Sequence, residues 1–119
     1  MYTQKIGRYG ENLAARFLIS KGFKILARNF QTRYGELDLV AEREGVIHFV
    51  EVKTRTGLRS GEPEEAINYF KMRRLQSAAQ SFLLSRNLVD VGCQFDSVAL
   101  VLDLKAKKAK VRLIENIIF

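Results

Sequence analysis

A chain of 119 residues carrying 20 Lys and Arg against 13 Asp and Glu, a net charge of +7, is sized for one domain spanning 1–119 with a sizeable core. Its lone Cys93 excludes a disulfide framework. No apolar run approaches a membrane span, and no signal-peptide pattern opens the chain, so the expected location is cytoplasmic, without a membrane partner.

In chain order, Ile6, Gly10, Leu13, Ala14, Phe17 and Leu18 recur at helical spacing and predict a helix over 5–20, ended by Gly22. Glu11 falls at the edge of that apolar stripe, where an acid either reaches over a neighbouring sheet or pairs on the surface with Arg8. Phe23 to about Asn29 alternates as a first strand, with Phe23, Ile25 and Ala27 on one side. Residues 31–35 turn the chain, and Arg33 and Tyr34 there are either simply exposed or in reach of a phosphate.

Residues 35–42 alternate Leu37, Leu39 and Ala41 against Glu36, Asp38, Val40 and Glu42, a half-buried strand. Glu44-Gly45 then reads as a two-residue hairpin loop, placing Arg43 opposite Val46, Asp38 opposite Glu51 and Glu36 opposite Lys53. The partner strand runs from Val46 to about Arg55. His48 falls on the face away from Glu51, where a packed histidine is expected. A loop over 56–61 follows. Pro63 marks the first turn of a long helix to about Arg86, with Ala66, Ile67, Phe70, Leu75, Ala78, Ala79 and Phe82 as its buried stripe. Lys71, Arg73 and Arg74 form a basic cluster on it, either a solvated face or a contact for backbone phosphates. Asn87 closes the helix. Residues 94–102 form a strand in which Asp96 pairs with a basic neighbour, and a basic loop over 105–110 leads to a final edge strand, 111–114. The expected fold is α/β: one mixed sheet flanked by helices, in the order α-β-β-β-α-β-β.

The charges are unevenly spread. Residues 1–34 hold seven basic groups and one acid, Glu11, and residues 104–114 hold five basic groups and no acid. A surface of this kind attracts polyphosphate. Against it, Asp38 and Glu51, thirteen residues apart, and Lys53, two residues on, gather at one strand end. Two carboxylates about 4 Å apart repel by roughly 4 kcal/mol at an effective dielectric near 20. A proton, Lys53 or a divalent cation must compensate, and hard oxygen ligands suit Mg²⁺. That set is what metal-assisted attack on a phosphodiester needs; the alternative is a solvated charge ladder.

Gly10-Glu11-Asn12-Leu13-Ala14, Lys21-Gly22-Phe23, Arg28-Asn29-Phe30, Gly35-Glu36-Leu37-Asp38-Leu39-Val40, Phe49-Val50-Glu51-Val52-Lys53-Thr54-Arg55, Glu65-Ala66-Ile67 with Lys71 and Arg74-Leu75, and Gln94-Phe95-Asp96 together resemble the YraN family of bacterial proteins. The resemblance covers nearly the whole chain. It implies the restriction-endonuclease-like fold and a set of acids similar to that of archaeal Holliday-junction resolvases. On that reading Asp38, Glu51 and Glu11 hold Mg²⁺ or Mn²⁺, and Lys53 orients the attacking water and stabilises charge on phosphorus. Glu36 stands behind them as a supporting residue, and Arg33, Arg55, Lys71 and Arg74 contact nucleic acid. The family pattern often has proline before the aspartate, where this chain has Leu37.

The expected activity is therefore a Mg²⁺-dependent endonuclease acting on DNA ahead of RNA, with branched or structured DNA as substrate and a 5′-phosphate as product. A homodimer would match a symmetric junction. The alternative is a non-catalytic nucleic-acid-binding module of the same fold.

Overall fold

The computed structural model describes residues 2–57 and 69–117. Helix α1 (Tyr2–Ser20) is followed by strands β1 (Lys24–Thr32), β2 (Gly35–Arg43) and β3 (Val46–Thr56), then helix α2 (Tyr69–Ser85) and strands β4 (Gly92–Asp103) and β5 (Lys108–Ile114). The expected order α-β-β-β-α-β-β is observed. The strands form one sheet in the order β1-β2-β3-β4-β5, antiparallel throughout except for the parallel pair β3–β4. Parallel neighbours need a crossover, and α2 lies within it. The predicted helix start at Pro63 and the residues Ala66 and Ile67 lie outside the described residues.

Local chemistry accounts for the boundaries. At the end of α1 the Phe23 amide donates to the Leu18 carbonyl and the Gly22 amide to that of Ile19, with Gly22 at φ +92°. This is a Schellman cap, and it needs a residue that tolerates the left-handed region. Asn87 ends α2 in the same way, at φ +54°. Glu44 and Gly45, at φ +54° and +80°, make the predicted two-residue hairpin loop, and Arg43 faces Val46. Both central residues at positive φ match the right-handed twist of the flanking strands.

The helices cover opposite faces of the sheet. Ala14, Ala15 and Leu18 of α1 pack with Phe23, Leu39, Ala41, Val50, Val98 and Leu100. Ala78, Ala79 and Phe82 of α2 pack with Leu37, Val40, Ile47 and Phe49. Each fully buried aliphatic or aromatic side chain is worth about 1.5–3 kcal/mol, so these two layers hold the strands in place.

Four expectations need correction. Leu37 packs on the α2 side, while Leu39 and Ala41 pack on the α1 side, so the three do not share a face. The cause is a break in the ladder. β1 pairs Arg28 with Leu39 and Phe30 with Leu37, but Asn29 and Asp38 between them are unpaired, and Asn29 sits at φ +50°. Ala27 likewise joins the α2 side, because a bulge between Ile25 and Ala27 shifts the register. Phe70, expected in the buried stripe of α2, is 74% exposed, and Met72 is buried instead. Finally, β5 begins at Lys108, so Lys108 and Lys110 belong to the edge strand rather than to a loop.

Candidate functional site

The hairpin β2–β3 opens at its far end. Its pairing runs from Arg43–Val46 to Leu39–Val50 and goes no further. One step beyond, the Val52 amide donates to Asp38 Oδ2 at 2.8 Å. A side-chain carboxylate thus takes the place of a backbone carbonyl and holds the two strands apart as a fork. Asp38 is thereby fixed in the sheet itself, half-buried, at the level where β1 is also unpaired.

The other acids approach Asp38 from different elements. Glu11 comes from α1: Asn29 Nδ2 donates to Glu11 Oε1 at 3.0 Å, and a carboxylate oxygen from each of Glu11, Glu36 and Asp38 lies within 4.8 Å of the others. No Glu11–Arg8 pair is needed to explain its place. Gly10 makes the approach possible, because a Cβ there would lie 2.1 Å from Thr54 Oγ1 on β3. Glu51 on β3 adds its charge beside Asp38.

This crowding has an electrostatic consequence. Burial, the largest cause, together with the charges of Glu51 and Glu11, raises the Asp38 pKa to about 8 against the opposing bond from Val52. The cations sit opposite. Lys71 Nζ of α2 lies 2.8 Å from Glu51 Oε2. Burial works to lower the pKa of Lys71, but the hydrogen bond and charge of Glu51 outweigh it and hold the group above the ordinary lysine range. Lys53 moves the other way: burial, then the hydrogen bond and like charge of Lys71, push it down, with Arg55 adding to this and Glu51 opposing it. Arg55 Nε is buried with no hydrogen-bond partner among the described residues.

The carboxylates at ligand spacing are thus Glu11, Glu36 and Asp38; Glu51 lies outside that trio, acting on Asp38 through its charge and pairing with Lys71, and Lys53 sits beside Glu51 and Lys71. Neither Asp38 opposite Glu51 nor Glu36 opposite Lys53 is found as simple register predicted, since the β2–β3 ladder ends at Leu39–Val50. The Glu36 carboxylate accepts from Gln31 Nε2 across β1 and lies among the acids. Lys71, expected among the nucleic-acid contacts, is an ion-pair partner of Glu51. Arg74 lines a cleft of about 290 Å³ between α2 and the β1–β2 turn, which also takes in Tyr34 and Glu36. Arg33, in that turn, lies over the Tyr34 ring at 5.5 Å. Asn29 is a site residue that the sequence marks only faintly. Its only local sign was an asparagine, tolerant of positive φ, in the middle of a strand.

On the far side of the sheet, His48 Nδ1 lies 2.6 Å from Asp96 Oδ2. Asp96 Oδ1 accepts from Gln94 Nε2 and from the Asn116 amide, at 2.9 and 3.1 Å. Both residues are buried, and the Phe23 ring packs edge-on against His48. Asp96 is thus paired with a basic neighbour, and the set anchors the segment after β5.

Residues 10–100 match the family model described as "Uncharacterised protein family UPF0102". The chain belongs to this family. A UPF0102 protein of Syntrophomonas wolfei is 48% identical over 101 residues, covering 85% of this chain and 88% of that protein. One from Caldicellulosiruptor bescii is 39% identical over 117 residues, covering 98% of each. One from Symbiobacterium thermophilum is 45% identical over 96 residues, covering 81% of each. The UPF0102 match runs from Gly10, the glycine that lets α1 close on β3, to Leu100, and so takes in Glu11, Glu36, Asp38, Glu51, Lys53 and Lys71. No helix among the described residues is long and apolar enough to cross a membrane.

Proposed function

We propose that this protein is a metal-dependent endonuclease of the restriction-endonuclease-like class that hydrolyses phosphodiester bonds of DNA, with branched or structured DNA as the substrate. One observation carries the reading: Asp38, pinned in the fork between β2 and β3, meets the carboxylates of Glu11 and Glu36 within 4.8 Å, with the charges of Glu51 and Lys53 beside them. The donor set fits Mg²⁺ or Mn²⁺. It consists of hard carboxylate oxygens, and burial with the charges of Glu51 and Glu11 forces Asp38 toward its protonated state, a penalty that a divalent cation would relieve. Asp38, Glu51 and Glu11 would hold the ion. When bound, it supplies Lewis-acid stabilisation of phosphoryl oxygens and a water of lowered pKa.

The residues of the chain do the rest. Lys53, held below the ordinary lysine range, is placed to orient the attacking water and to hold charge that develops on phosphorus. Arg55 and Arg74 supply positive charge for the strand's phosphates, beside a site whose own acids would repel an unaccompanied anion. Asn29 keeps Glu11 aimed at Asp38.

The Glu51–Lys71 ion pair favours a second reading, a nucleic-acid-binding module without cleavage, because a lysine then does part of what a cation would do. One experiment separates the two: duplex, single-stranded, flap and four-way-junction DNA incubated in Mg²⁺ or Mn²⁺ with wild type, Asp38→Ala and Glu51→Ala. Cleavage abolished in both variants with binding kept supports the nuclease. Salt-sensitive binding with no cleavage of any substrate supports the module. Cleavage that survives Asp38→Ala rejects the site.

A further inference from the structure

Beside the acids lies the cleft of about 290 Å³, a space that hydrolysis of a phosphodiester does not itself require. Its floor is apolar, built from Leu75 and Ala78 of α2. Tyr34 stands at its mouth, 41% exposed, with the Arg33 guanidinium over its ring. Arg74 and Lys71 lie on one wall and Glu36 on the other.

The chemistry of the walls selects the occupant. A phosphate is a poor match, because it would meet the Glu36 carboxylate and lose hydration against the apolar floor. A duplex or a helix cannot enter a space at the lower limit of the roughly 300–1,000 Å³ of small-molecule sites. A single planar heterocycle meets every wall. Its faces suit Leu75, Ala78 and the Tyr34 ring, and an exocyclic amino group can donate to Glu36, as base amines do to carboxylates. The phosphates flanking it would fall to Arg33 and Arg74.

Position ties the cleft to the acids. Glu36 belongs both to the cleft and to the cluster with Glu11 and Asp38, and Lys71 belongs both to the cleft and to the ion pair with Glu51. We infer that the cleft receives one unpaired nucleobase of the strand whose phosphate lies at Asp38. The inference rests on the nucleic-acid substrate of the proposed function and adds that the strand must be unstacked beside the cut. Aromatic platforms next to cationic side chains bind single strands in this way, without regard to sequence.

The test uses binding, in EDTA, so that cleavage plays no part. Fluorescein-labelled duplexes, one fully paired and one with an internal unpaired segment, are titrated by anisotropy with wild type, Tyr34→Ala and Tyr34→Phe. Tyr34 lies in an exposed turn, and a melting curve checks that each variant is folded. Loss of one base stack predicts that Tyr34→Ala weakens binding to the unpaired substrate at least about fivefold, with a change of under about twofold for the paired duplex and near-wild-type binding for Tyr34→Phe. Equal weakening on both substrates, or no weakening on the unpaired one, overturns the inference, as does failure to bind either DNA. The two proposals part cleanly. Wild-type cleavage in Mg²⁺ together with non-discriminating Tyr34→Ala removes the base cleft and leaves the nuclease. Discriminating binding without cleavage removes the nuclease and leaves the cleft.

Discussion

Gly10 of α1 and Thr54 of β3 are packed so closely that a Cβ on the glycine would lie 2.1 Å from Thr54 Oγ1 and 3.1 Å from Thr54 Cβ. Helix and strand touch backbone to side chain one residue before Glu11 and one residue after Lys53, so this contact sets the distance at which the acid of α1 meets the sheet. Gly10→Ala must push the helix away. The expected cost is about 1–3 kcal/mol by thermal or urea denaturation, as for other overpacked sites. Thr54→Ala in the same chain removes the worst clash and should recover part of it. Full stability in Gly10→Ala alone would show that α1 has slack here.

Asp38 gives a pH signature. Its folded-state pKa of about 8 lies above the ordinary 3.8, so between those values the folded protein keeps a proton that the unfolded chain has released. Stability attributable to this group is therefore intact at low pH and falls as pH rises through that window. Melting curves in EDTA should show Asp38→Asn gaining on wild type from about pH 5 to pH 8, by about 1–3 kcal/mol at the upper end. Mg²⁺ should narrow the gap by favouring the ionised carboxylate of the wild type. A constant difference across the range would refute the crowding of carboxylates described here.

Lys71 neutralises Glu51 at 2.8 Å. Lys71→Met leaves a largely buried carboxylate facing Asp38, and should destabilise the metal-free protein by about 1–3 kcal/mol. Added Mg²⁺ or Mn²⁺ should recover more of the melting temperature in Lys71→Met than it adds to wild type. Identical metal responses would mean that Lys71 and a cation do not serve the same carboxylate.

Much of this arrangement was legible in the residues. The alternation of 35–42 and the Glu44-Gly45 loop set the hairpin, and with it the place of Asp38 and Glu51 at its open end. Glu11 stood at the edge of the α1 stripe, where reaching over a sheet was one of two open choices. What alternation hides is where a ladder stops. It assumes continuous pairing, so it placed Asp38 opposite Glu51 and Glu36 opposite Lys53, and put Leu37 on the face of Leu39. The observed fork and the left-handed Asn29 depend on which polar group satisfies the Val52 amide, and that is a tertiary matter. Phe70 misled because helical spacing describes a stripe without saying where the sheet beneath it ends.

Asn29 carries a further prediction that separates backbone from side chain. Its φ of +50° suits glycine at least as well, while its amide holds Glu11. Asn29→Gly should therefore keep the fold to within about 1 kcal/mol and lower the affinity for Mn²⁺, read by calorimetry, by about 10–100-fold, as loss of a ligand's supporting partner does. Unchanged affinity would free Glu11 from any role at the site.

On the proposed function, the carboxylates of Glu11, Asp38 and Glu51 share one divalent ion at the open end of the β2–β3 hairpin. Anomalous diffraction from crystals grown with Mn²⁺ tests it most directly. The expected result is a single strong peak within coordination distance of Asp38 and at least one of Glu11 and Glu51, with Lys53 beside it. A peak bound elsewhere, or none at Asp38 under saturating Mn²⁺, would contradict it.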